Sequence, residues 1–415
     1  MLYTLSRLSS AVGNTMLQAV LLWHVWELTD SALSLGFLGL ARFLPALGVS
    51  MIGGAVADRY NRRNIILAAQ TVPLSCGIIL SFATFNDWVS VNLIYGLVLM
   101  VGFASSFENP ARLALLPAIV RRETFPNAVS TSSGLQQVGM MTGGLLGGVL
   151  ADLDTGVAYA AYSGAIGAAF LCMAVLRYQQ PRDVNVRDVS IAAIKEGILF
   201  VKRSPVIFGA ISLDMFAVIF GGAKGLLPIY ATDILHVGGF GYGLLLASLE
   251  IGAVAMSGIL IMRPPIIHSG RALIYSVAVF GILTIIFGFS RNIYLSIPVY
   301  MAIGAADYVS VVLRQVIIQL TTPDELRGRV SSVGQVFIQA SNQLGAVESG
   351  IVAAAAGATF AVVSGGVAAV AVSAAIGWRV RSLYQYLTPG YRWQAASTGP
   401  PAATEDAAGG AGGSG

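Results

Sequence analysis

Twelve stretches of mostly apolar residues, parted by short polar turns, run through the chain: 8–29, 34–57, 64–85, 89–109, 126–151, 156–177, 205–232, 239–262, 271–290, 292–314, 328–355 and 357–379. A helix that crosses the hydrocarbon core of a bilayer needs about 20 such residues, so this pattern constrains the fold before any motif does. Composition agrees. Charged residues make up 11% of the sequence and hydrophobic ones 56%, whereas soluble domains carry about 25% charge. A water-soluble chain so poor in charge would expose large apolar patches and aggregate. The 48 glycines suit helices that approach closely in lipid, and ten-residue alternating strands, the mark of a lipid-facing barrel, are not seen. The expected class is an all-α integral membrane protein with twelve transmembrane helices.

Lysine and arginine predict how the chain lies. Cytoplasmic loops are enriched in both. With both termini inside, 21 of the 24 Lys and Arg fall on the cytoplasmic side, Arg291 falls outside, and Arg42 and Lys224 fall within spans. The expectation is a multi-pass protein of the cell inner (cytoplasmic) membrane with both termini cytoplasmic. The net charge of +4 follows from this placement and does not call for a nucleic-acid partner. Arg7 precedes an apolar stretch too long for the h-region of a cleavable signal, so the first span is expected to direct insertion. Cys76 and Cys172 fall singly within spans and are read as small apolar groups rather than a disulfide or metal ligands.

The longest polar break, residues 178–204, carries apolar residues at helical spacing over 190–201. It divides the chain into an N-terminal six-helix bundle (1–180), a cytoplasmic linker with a surface helix (181–204), a C-terminal six-helix bundle (205–380) and a cytoplasmic tail (381–415), largely disordered. The halves repeat. At an offset of 202, Arg112, Glu123, Ser130, Gln137, Gly143 and Gly148 fall on Arg314, Glu325, Ser332, Gln339, Gly345 and Gly350. At 204, Gly48, Gly54 and Arg59 fall on Gly252, Gly258 and Arg263. Repeats of this kind build transporters whose ligand site lies near the midplane between them.

Three motifs carry a family resemblance. "GGAVADRYNRR", residues 53–63, lies between the second and third spans and resembles the loop signature of the major facilitator superfamily, matched by Gly54, Asp58, Arg59, Arg62 and Arg63. The family usually has Gly where Asn61 stands, and Asn tolerates positive φ. "GMMTGGLLGG", 139–148, resembles the antiporter motif of drug exporters, matched by Gly139, Gly143, Gly147 and Gly148, with Gly144 in place of the proline. "NPARLALLPAIVRRETFPNAVS", 109–130, is similar to the branch holding enterobactin exporters and macrolide efflux pumps. The resemblance implies the major facilitator fold, two pseudo-symmetric six-helix bundles. It also implies a cytoplasmic latch at the loop, where the carboxylate meets a helix N-terminus and the arginines meet acids and carbonyls of adjacent helices. The fifth-span glycines imply a smooth face that seals the halves, or packing alone.

Charges inside spans are the remaining signal. Each costs about 2.5–3.5 kcal/mol at the bilayer centre and is expected to face protein or water. Asp307, Asp214 and Glu250 are candidates for proton coupling, because burial favours the neutral acid and lets a carboxyl exchange protons near neutral pH. A salt bridge to Arg42 or Lys224 is the structural alternative. Arg42, Lys224, Asn14, Gln18, Tyr95 and Glu108 are candidates to line the cavity, as are Asn342 and Gln343; Glu108 also stands one turn from Arg112 as a local partner. His24, between Trp23 and Trp26, is either titratable or a packed aromatic-belt neighbour.

No phosphate-binding glycine loop with Lys and Ser/Thr is present, and three scattered histidines offer no zinc site. The chain is expected not to be an enzyme and to need no cofactor or metal. The function expected is that of a secondary active transporter: a proton-coupled exporter (antiporter) of a small amphiphilic compound such as a drug or siderophore, working by alternating access as a monomer, with protons and the lipid bilayer as its other partners. An importer or symporter of the same fold, or a non-transporting membrane receptor, are the alternatives.

Overall fold

The spans fold as helices in the computed structural model, which describes residues 1–121, 124–178, 191–264 and 266–388. The first six are α1 (Leu2–Thr29), α2 (Ala32–Arg59), α3 (Arg62–Phe85), α4 (Val91–Ile119), α5 (Phe125–Leu153) and α6 (Thr155–Val175). The surface helix α7 (Ile191–Arg203) follows. Next come α8 (Pro205–Gly221), the three-residue α9 (Leu227–Ile229), α10 (Gly238–Met262), α11 (Ser269–Phe289), α12 (Ile293–Thr321), α13 (Asp324–Ala356), α14 (Ala358–Arg379) and a terminal turn α15 (Arg381–Tyr384). The expected linker residues 181–190 and tail residues 389–415 lie outside the described residues.

Local chemistry sets the short turns. Asn292 and Asp154 accept the free N–H groups of Tyr294 and Val157 at 2.9 Å each, capping α12 and α6. Asp30, at φ 45°, closes α1 by donating its N–H to the Trp26 carbonyl at 2.8 Å. Asn61 departs from expectation. Its φ is −60°, and its side chain accepts from the N–H groups of Arg63 and Asn64 as the N-cap of α3. Capping, not a left-handed backbone, is what asparagine supplies there.

The span expected as one helix over 205–232 is interrupted. α8 stops at Gly221, a 3₁₀ turn covers Ala223–Leu226, and after α9 a π turn covers Tyr230–Ile234. Gly221 and Gly222 are poor helix formers. Pro228 removes one N–H and its ring would clash with the carbonyl four residues back, that of Lys224. The 3₁₀ turn answers this, with the Leu227 N–H bonding to the Lys224 carbonyl. Irregular backbone at such depth is tolerated only where protein or a polar cavity surrounds it.

The repeat is visible in the fold. α4 and α12 start and end 202 residues apart, each 29 residues long. Gly143 on α5 meets the Val12 carbonyl of α1, and its counterpart Gly345 on α13 meets the Val218 carbonyl of α8. The two expected six-helix bundles follow, α1–α6 and α8–α14, with α8 and α9 parts of one broken span.

Among the described residues, eight helices are long and apolar enough to cross a bilayer on composition alone, the broken Pro205–Ile234 among them. α1, α5 and α13 are more polar. Each packs on more than one neighbour: α1 on α5 and α6, α5 also on α10, and α13 on α2 and α8. Outward-facing side chains such as Phe82, Leu113 and Ile261 stay 60%, 69% and 82% exposed, as lipid contact requires.

The bundles meet along α5–α10 and α2–α13. We call the end bearing the chain's first residue the near face and the opposite end the far face. Gly148 lies against Gly243, Gly350 against Gly36, and the Trp26 indole donates to Thr232 at 3.0 Å, all toward the far face. On the near face α7 packs on α8 and α13. Residues 381–388, expected as the start of the tail, instead pack there: Leu383 is fully buried, and the Thr388 N–H donates to the Ile267 carbonyl at 3.0 Å.

Candidate functional site

Glu250 is the middle residue of α10, and Asp307 is the middle residue of α12. Lys224 sits in the 3₁₀ turn that breaks the 205–234 span. These three, with Gln137 of α5, form one polar group at half height. The Glu250 carboxylate is shared. Gln137 Nε2, from the other bundle, donates to its Oε2 at 2.6 Å, and Lys224 Nζ lies 3.8 Å from its Oε1. Asp307 lies within electrostatic reach of both Glu250 and Lys224, yet among the described residues it makes no hydrogen bond or ion pair. It is half-buried. Tyr300 is fully enclosed by protein beside the two acids. Two carboxyls therefore face one ammonium where charge is costly. Such a group can hold one proton, or one cation, on the carboxyl that lacks a partner.

Asp214 is placed elsewhere. It pairs with Arg314 of α12, both side chains under a tenth exposed, and not with Arg42 or Lys224. Glu108 takes the local partner: Arg112 Nε donates to it at 2.7 Å and Gln70 at 3.1 Å, while Arg112 also donates to Ser10 of α1 at 2.7 Å. Arg112 and Arg314, equivalent under the repeat, thus neutralise a buried acid in each bundle. Breaking either pair would strand a charge.

The remaining cavity candidates scatter. Arg42 lies within electrostatic reach of buried Tyr162 in the first bundle. Asn14 and Gln18 are half-buried on α1, and Tyr95 donates its hydroxyl to the Ser34 carbonyl at 2.9 Å, tying α4 to α2 toward the far face. His24 is packed rather than exposed, with Nδ1 3.0 Å from the Tyr159 hydroxyl.

In the loop, Arg62 donates to the Ala114 carbonyl at 2.9 Å and Arg63 to the Met173 and Ala174 carbonyls. Met173 and Ala174 lie in the last turn of α6, where the helix dipole favours a cation, and Ala114 lies more than a turn before the end of α4. Arg59 is exposed over the Tyr60 ring. The surroundings of Gly54 and the side chain of Asp58 lie outside the described residues.

The five α5 glycines, read from sequence as one face, divide into two. A methyl at Gly139, Gly143 or Gly147 would meet α1 of the same bundle at 2.8, 2.3 and 2.8 Å. A methyl at Gly144 or Gly148 would meet α10 of the other bundle at 3.3 and 2.4 Å. Sequence reasoning did not single out Gln137 or Arg314 as site residues, though both stood out as polar residues repeated at one offset.

The family description of transmembrane secretion effectors matches residues 1–395. Among curated proteins, an enterobactin exporter of Citrobacter koseri is 28% identical over 291 residues, 68% of each chain. The multidrug efflux pump Tap of Mycolicibacterium fortuitum is 26% identical over 380 residues, 88% of this chain and 92% of its own. Among solved structures, a mutant of the nucleoside transporter NupG superposes with a TM-score of 0.71 at 12% identity, covering 92% of this chain and 98% of its own. A bacterial homologue of the human lysosomal transporter Spinster, solved inward-facing, gives 0.68 at 14% identity, covering 92% and 95%.

Proposed function

The chain belongs to the transmembrane secretion effector family of the major facilitator superfamily, and on that premise we propose that this multi-pass transporter is a proton-coupled exporter of a small amphiphilic compound, of the drug or siderophore kind. Residues 1–180 rock against 205–380, the far-face contact opens, and the near face, cytoplasmic by its arginines, closes. The single observation that carries this reading is the half-height group. Asp307 without a partner takes the proton. Glu250, tied to Lys224 in its own bundle and to Gln137 in the other, links the charge state to the contact between bundles. Asp214 and Glu108 are assigned to structure, each held by its arginine. The residues assigned to the exported compound are Arg42, Asn14 and Gln18 of one bundle and Lys224 of the other. Arg59, Arg62, Arg63 and Asp58 form the latch of the opposite state, and Gly144 and Gly148 form the far-face seal. The named activities of the enterobactin exporter and of Tap support export over import.

The test is a growth-inhibition panel of dyes, macrolides and catecholate siderophores, in a pump-deficient bacterium expressing the chain or its Asp307→Asn variant at equal abundance. The reading requires raised tolerance to at least one compound with the wild type and none with the variant. Equal tolerance in both removes Asp307 from the mechanism, and no tolerance to any compound withdraws export.

A further inference from the structure

On the near face, α11, α14 and α15 meet around a group of cations that no acid among the described residues neutralises. Arg271 at the start of α11 lies with its guanidinium 4.8 Å from the centroid of the Tyr384 ring. Tyr384 stands one turn from Arg381 on α15, on the same helix face. Its hydroxyl is 3.4 Å from that of Tyr275, itself 57% exposed. The end of α14 joins them. Gly377 approaches Ile274 of α11 within 3.5 Å for an added methyl, so the end of α14, with Trp378 75% exposed and Arg379 exposed, lies along α11 at this face. Arg271, Arg379 and Arg381 are all exposed, and among the described residues none makes an ion pair. By contrast, Arg329 nearby is bonded to Glu196.

The platform beneath these cations is built. Leu383 is fully buried against α8 and α11, the Gly270 N–H donates to the Tyr386 carbonyl at 3.3 Å, and Thr321 donates to the Tyr386 hydroxyl at 3.1 Å. α15 is therefore held in place rather than trailing from the bundle.

We propose that this edge binds the phosphate headgroup of an anionic phospholipid. Arginine forks match phosphate oxygens, and a guanidinium stacked on a tyrosine keeps its N–H edge free for them. Tyrosine and tryptophan sit at headgroup level, and basic pockets between membrane helices take acidic headgroups. Trp378 would lie along the first carbons of the acyl chain. The inference stands apart from the direction of transport and from the role of Asp307.

The test reads lipid contact, not flux. Full-length protein is placed in phosphatidylcholine bilayers containing brominated phosphatidylglycerol or brominated phosphatidylcholine at equal fractions. The quenching that belongs to Trp378 is isolated by difference from Trp378→Phe. The expected result is stronger quenching by phosphatidylglycerol. Arg271→Gln with Arg381→Gln lowers that preference by about fivefold per arginine. The charge-matched pair Arg121→Gln with Arg177→Gln, exposed on the other bundle, leaves it unchanged. Equal quenching by the two lipids in the wild type overturns the proposal without any variant. Equal loss in the two double variants overturns it too, since bulk charge would then account for the effect.

Discussion

Gly148→Ala is the substitution whose outcome the geometry specifies most closely. An added methyl there would stand 2.4 Å from Gly243 Cα, 2.5 Å from Gly243 N and 2.8 Å from the Gly239 carbonyl oxygen, all backbone of the other bundle. Carbon atoms prefer about 3.5–4.0 Å, so α5 and α10 must part by about 1 Å or more. Overpacking of this kind costs about 1–3 kcal/mol. It falls on the state in which the far-face contact is made, shifting the balance away from that state by roughly 5- to 150-fold. Gly144→Ala is the control on the same face, because the nearest atom its methyl would meet is Leu246 Cβ, at 3.3 Å. Gly143→Ala controls the other face. Its clash, 2.3 Å from the Val12 carbonyl oxygen, lies within one bundle, so it should lower stability without favouring either state. Spin labels at Leu153 and Phe240, 75% and 55% exposed at the far ends of α5 and α10, report the separation by pulsed dipolar spectroscopy in nanodiscs, with Cys76 and Cys172 replaced by alanine. The expected result is a longer distance for Gly148→Ala and an unaltered distribution for Gly144→Ala. A Gly148→Ala distribution identical to the wild type, or equal opening by Gly148→Ala and Gly143→Ala, would refute the assignment of these two glycines to separate faces.

Three further outcomes follow from the same structure. Asp214→Asn strands Arg314 in the second bundle and should destabilise it by about 3–5 kcal/mol, read as a lower thermal midpoint in detergent, while Asp214→Leu with Arg314→Met recovers most of the loss. Gln137→Leu removes a bond to a charged acceptor, about 1.5–3 kcal/mol, and should lengthen the Leu153–Phe240 distance with the thermal midpoint of either bundle little changed. Arg63→Gln loses the carbonyls that end α6 and should lower the thermal midpoint, whereas Arg59→Gln, at an exposed side chain, should not.

Helix number and the repeat were legible because lipid leaves the chain few options. Every span must satisfy its own backbone, and apolar length reports it directly. The 202 offset read from Arg112 and Gln137 reappears in the bounds of α4 and α12. The break at Gly221–Gly222 was missed because hydropathy is blind to it. Glycine, alanine and Pro228 keep the window apolar while the helix geometry changes, and that change is what brings Lys224 to Glu250. The acids could be found but not sorted. Asp214, Glu250 and Asp307 look alike in sequence, and only packing reveals that α8 turns Asp214 toward Arg314. The α5 glycines were found for the same reason as the spans. Their division between α1 and α10 rests on which helices lie on either side, which a single span does not encode.

Proton flux in proteoliposomes tests the account at its centre. Purified protein is reconstituted with a pH-sensitive dye in the lumen and an imposed proton gradient, and a compound drawn from the growth panel is then added. The account predicts that the compound dissipates the gradient in the wild type, and that Asp307→Asn stops this while still binding the compound. Gradient loss of equal rate in the two, or compound movement in the wild type that ignores the gradient, would contradict it.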